Sequence, residues 1–70
     1  MKRMRKMRIH LGWTAMTLAT KAKLHPSQIS KFETGREIPY DSQLERIAKA
    51  LNIPKDQAKT LLEEVNDESN

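Results

Sequence analysis

Hydrophobic positions recur at helical spacing along most of the chain, and no stretch alternates long enough to suggest a strand. Met4, Met7 and Leu11 stand at i, i+3 and i+7, followed by Gly12, a residue suited to stopping a helix. Thr14 can cap a second helix whose inner face is Ala15, Leu18, Ala19 and Ala22. Pro26 suits the first turn of a third helix, where its missing N–H would have had no partner. Ile29 and Phe32 are that helix's apolar face, and Gly35 ends it. A loop over residues 36–40, closed by Pro39, leads to a fourth helix from Asp41 or Ser42 to Leu51, burying Leu44, Ile47, Ala48 and Leu51. Either Asp41 caps it or Ser42 forms a capping box with Glu45, and the pattern does not separate the two. Pro54 opens a fifth helix with Ala58, Leu61, Leu62 and Val65 inward. The pattern predicts one compact all-α domain over residues 1–65 and a frayed acidic tail over 66–70.

Composition narrows the classes of function. At 70 residues and 37% hydrophobic content the core is small, and the absence of cysteine removes disulfides, thiolate metal sites and a cysteine nucleophile. His10 and His25 have no paired acid at ligand spacing, and the two glycines form no phosphate loop. No metal, cofactor or catalytic residue is therefore expected, and an enzyme is the least favoured class. No apolar run approaches membrane-spanning length, which predicts a cytoplasmic protein.

Charge is unevenly placed. Residues 1–36 carry nine Lys/Arg against Glu33 alone, whereas residues 37–70 carry four against eight Asp/Glu, within a net charge of +4. A basic front half suggests a polyanionic partner such as nucleic acid. The third helix sharpens this. Opposite Ile29 and Phe32 it presents Ser27, Lys31 and Thr34, with Ser30 nearby and Gln28 on a flank. Such short polar groups can meet base edges or phosphates in a major groove, which admits a helix.

Residues 8–53 resemble the helix-turn-helix domain of the Cro and phage-repressor family, the lambda repressor-like fold. The resemblance runs in register through "RIHLGWT", "LATKA", "HPSQISKFETGREIP" and "LERIAKALNI". It implies a helix-turn-helix made of the second and third helices, with the third in the major groove of double-stranded DNA. It maps base reading onto Pro26, Ser27, Gln28 and Lys31. Backbone contact falls on Thr14 and Ala15 at the start of the second helix and on Thr34 and Arg36, with Ser30 beside them. It also implies a structural ion pair between Arg8 and Glu33, an acid that lies about 70° off the inner direction of its helix. The chain departs from the family in three places: Ala15 replaces a phosphate-binding glutamine, Pro26 offers no side-chain donor or acceptor, and Lys23 replaces the glycine of the turn.

The expected function is a sequence-specific transcriptional regulator, a repressor acting as a homodimer, that associates with the nucleoid through DNA. The alternatives are an antitoxin-like module that binds a protein partner through its acidic C-terminal half, with autoregulatory DNA binding, and a non-specific DNA-binding protein.

Overall fold

The computed structural model describes residues 1–66. Five helices follow one another: α1 (Arg3–His10), α2 (Ala15–Ala22), α3 (Pro26–Thr34), α4 (Asp41–Ala50) and a 3-10 helix (Lys55–Leu62). The tail expected at 66–70 lies, from residue 67 onward, outside the described residues. α2 packs against both α3 and α4, and the 3-10 helix fills the other side of α4 and reaches α1. The buried core is Met4, Leu18, Ala19, Ala22, Ile29, Phe32, Leu44, Ile47, Ala48, Leu51, Ala58 and Leu61. These include most of the apolar positions picked out by helical spacing.

The four α-helices share one kind of ending. After α1, Gly12 N–H donates to Ile9 O and Trp13 N–H to Arg8 O; after α2, Lys23 N–H donates to Thr20 O and Leu24 N–H to Ala19 O. After α3, Gly35 and Arg36 donate to Phe32 O and Lys31 O; after α4, Asn52 and Ile53 donate to Lys49 O and Ala48 O. This paired arrangement satisfies carbonyls left over in the last turn and requires one residue with positive φ. Those residues are Gly12, Lys23, Gly35 and Asn52, at φ of 76°, 60°, 81° and 64°. Glycine and asparagine tolerate this conformation, so Lys23 is the one strained occupant.

Three expectations are corrected. Neither Asp41 nor Ser42 caps α4: the cap residue is Tyr40, whose N–H is received by Gln43 Oε1 at 2.8 Å. α3 begins in the same way, with His25 N–H donating to Gln28 Oε1 at 2.9 Å. A glutamine three residues into the helix satisfies the cap amide without a hydroxyl at the cap. Leu11 is not inward but 48% exposed, because it sits past the last turn of α1 at the mouth of a groove with Met7, Leu51 and Val65. The fifth helix is 3-10 and stops at Leu62, leaving Leu62 and Val65 only partly buried. Beyond it the chain extends and pairs with the N-terminus, Arg3 N–H donating to Glu63 O and Val65 N–H to Met1 O, each at 2.9 Å.

That pairing holds α1 in place. α1 has no acid in its first turn and no side-chain cap, so little in its own sequence favours a helix start. The terminal clasp supplies what is missing: Lys2 Nζ lies 3.2 Å from Glu64, and Lys6 Nζ donates to Asn66 O at 2.8 Å.

Candidate nucleic-acid interface

α2 starts at a working cap. Thr14 Oγ1 accepts the N–H of Thr17 at 3.1 Å, and its hydroxyl lies 3.0 Å from that of Thr17. The amides of Ala15 and Met16 belong to the same first turn, where no preceding carbonyl reaches them. A phosphate oxygen is a natural acceptor for such amides. Ala15 adds no side-chain donor, so this end of α2 can hold an anion only through its backbone.

α3 presents its base-reading candidates unequally. Pro26 and Ser27 are exposed at its N-terminus, and Lys31 is exposed one turn later. Lys31 Nζ lies 3.8 Å from Glu37 Oε2, an exposed pair that costs little to open. Gln28 is placed differently. Its Oε1 receives the His25 amide, and its side chain turns toward a hollow lined by Phe32, Glu37, Ile38, Tyr40 and Gln43. Reading adenine with a glutamine uses both amide atoms, so the Gln28 oxygen that receives the His25 amide would have to share its second lone pair with the base.

The expected backbone-contact residues on α2 and α3 converge. Ala15, Ser30 and Thr34 line one shallow cavity of about 230 Å³ together with Arg5, Arg8 and Glu33. Within it Arg8 forks onto Glu33, with Nε to Oε2 at 2.8 Å and Nη2 to Oε1 at 2.9 Å, and Arg8 Nη1 donates to Trp13 O at 2.8 Å. The hydrogen bond with Glu33 raises the Arg8 pKa above its ordinary value, against the opposing effect of burial. Glu33 is 9% exposed, deeper than its angle on α3 suggested, because α1 covers it. Thr34 Oγ1 donates to Ser30 O at 2.9 Å, so a phosphate contact from this hydroxyl would cost that bond. Arg36 is exposed beyond the end of α3 and makes no ion pair among the described residues.

Arg5 is the residue that sequence reasoning missed. It is half exposed, and its Nε lies 3.9 Å from Glu33 Oε1, which Arg8 already occupies. It therefore brings a spare guanidinium to the cavity shared by Ala15, Ser30 and Thr34. The signal was available: Arg5 precedes Arg8 by three residues, which places both on neighbouring parts of one helix face.

Among the described residues no group of His, Cys, Asp or Glu could hold a metal ion, and no helix is long and apolar enough to cross a membrane. A family model described as a helix-turn-helix domain matches residues 1–67. No curated protein and no solved structure matches the chain.

Proposed function

The chain belongs to the helix-turn-helix domain family, whose architecture binds DNA and points to transcription regulation, and from that premise we propose a sequence-specific repressor that acts as a homodimer. The reading follows the Cro and phage-repressor pattern, with α3 in the major groove. One observation carries it: Pro26, Ser27 and Lys31 are exposed on one side of α3, while Ile29 and Phe32 on the other are buried. The helix is held firmly and presents small polar groups outward.

The partition of roles follows from charge and geometry. Ser27 and Lys31 read base edges, and Pro26 offers apolar contact, as to a thymine methyl. The first-turn amides of α2, with Ser30 and Arg36, hold phosphates and fix register. Arg8 and Glu33 set the position of α3 without touching DNA. A single α3 reads only a few base pairs, so useful affinity at one site requires two copies on two half-sites.

The test is Lys31→Ala, measured on a preferred duplex and on its single-base variants. A base-reading lysine loses about 1–3 kcal/mol on the preferred duplex and relaxes discrimination at one position. Equal weakening on every duplex would assign Lys31 to phosphate instead.

A further inference from the structure

A second basic surface lies away from the cavity shared by α1, α2 and α3. Lys21, Lys23, Arg46 and Lys49 line a groove of about 570 Å³ between the C-terminal ends of α2 and α4, floored by Ala22 and Ala50. No acid lines it, and none of the four cations makes an ion pair among the described residues. Elsewhere Lys2, Arg5, Arg8, Lys31 and Lys55 each stand within 4 Å of a carboxylate, whereas among the described residues Arg3, Lys6, Arg36 and Lys59 do not. It is the gathering of four such cations in one groove that sets this surface apart.

Helix dipoles account for part of this. Lys21 and Lys49 lie in the last turns of α2 and α4, where a cation is favoured. Lys23, the C-cap residue of α2, also stands at a negative helix end, whereas Arg46 sits a turn inside α4, where the dipole does not account for it. Lys23 also carries a conformational cost, standing at φ 60° where the equivalent residues are Gly12, Gly35 and Asn52. A side chain kept against backbone strain points to use. Lys21 is further steadied, its Nζ 5.0 Å above the Trp13 ring.

We infer that this groove is a binding site for a phosphate-bearing anion. Four cations around a floor of small residues suit a ligand with several anionic oxygens, and an arginine fork with mobile lysines matches phosphate geometry. The groove offers no exposed aromatic face to stack on a base, so recognition is by charge. The phosphates belong either to the backbone of bound duplex or to a free polyphosphate, and the site stands whether or not α3 reads DNA.

The probe is inorganic tripolyphosphate, titrated into isotope-labelled protein at low salt while backbone amide shifts are followed. The expected result is saturable shifts confined to residues 21–23 and 46–50. Arg46→Gln with Lys49→Gln weakens binding about tenfold, and Arg46→Lys with Lys49→Arg retains it. Lys23→Gly weakens binding while raising the melting temperature, which separates lost binding from lost folding. Shifts spread equally over Arg5, Lys31 and Arg36, or a glutamine double variant that titrates like the parent protein, would overturn the inference.

Duplex binding across a salt series identifies the source. If the glutamine pair lowers the slope of log K against log salt by about two, the phosphates are those of the duplex. An unchanged slope with lost tripolyphosphate binding assigns a free ligand. A parent protein that binds tripolyphosphate here but no duplex removes the repressor reading and leaves this site in place.

Discussion

Two residues show how single side chains decide the behaviour of this domain. Glu33 is nearly buried and receives a two-point hydrogen bond from Arg8. Glu33→Gln breaks the fork and leaves a guanidinium without its charge partner, at a cost of about 2–3 kcal/mol. In a domain whose total stability is about 4–10 kcal/mol, that is a large share, and chemical denaturation measures it directly. At Lys23 the expected change has the opposite sign. Lys23→Gly relieves the positive φ and stabilises the fold by about 1 kcal/mol, read as a higher denaturation midpoint at unchanged slope. A neutral or destabilising result would show that the lysine's contacts outweigh the strain. Both positions were visible in the sequence, Glu33 through its family resemblance and Lys23 as a lysine where a glycine is usual. The orientation of Gln28 was not, because one polar residue near a helix start can face a ligand or satisfy the cap amide. Spacing does not rank those choices.

At the scale of the elements, the helix ends divide into those that sequence announces and those that tertiary structure supplies. Gly12 and Gly35 announce theirs, as does the Thr14 cap of α2. Thr14→Ala removes the acceptor for the Thr17 amide and costs about 1 kcal/mol. The start of α1 was not legible, since its partner lies sixty or more residues away in the Glu63–Val65 segment. Glu64 there accepts hydrogen bonds from Lys2 and from the terminal ammonium, which hold its carboxyl below the usual glutamate range. A carboxylate lowered by folding contributes stability above its unfolded pKa, and that contribution is lost as pH falls through the lower folded value. The Glu64 contribution to the clasp therefore weakens in acid, as pH falls from the ordinary glutamate value of about 4.3. Glu64→Gln flattens this acid part of the stability–pH curve and leaves its course through the neutral range unchanged. The 3-10 character of the fifth helix was also invisible to hydrophobic spacing, because Ala58 and Leu61 lie three apart, a step that suits both helix types.

Over the whole molecule, charge and shape assign different work to different faces. The basic excess of residues 1–36 is not one continuous DNA-binding arm, since Lys2 is engaged with Glu64 and Arg8 with Glu33. Neutralising Lys2 should leave the salt dependence of duplex binding unchanged, whereas Arg36→Ala should lower its slope by about one. The 3-10 helix keeps little apolar surface for a second copy, since Ala58 and Leu61 are buried in the chain's own core. Ile38 and Tyr40, 81% and 76% exposed, are the most exposed large apolar side chains among the described residues, ahead of Met16, Ile9 and Leu11. The most direct test of the central claim, that the exposed side of α3 reads sequence, is selection from a randomised duplex library at about 0.15 M salt, where phosphate attraction is screened but not abolished. A dimer that reads sequence through α3 enriches a two-fold-symmetric site with half-sites about one helical turn apart. Tight binding with no enriched sequence would contradict that claim.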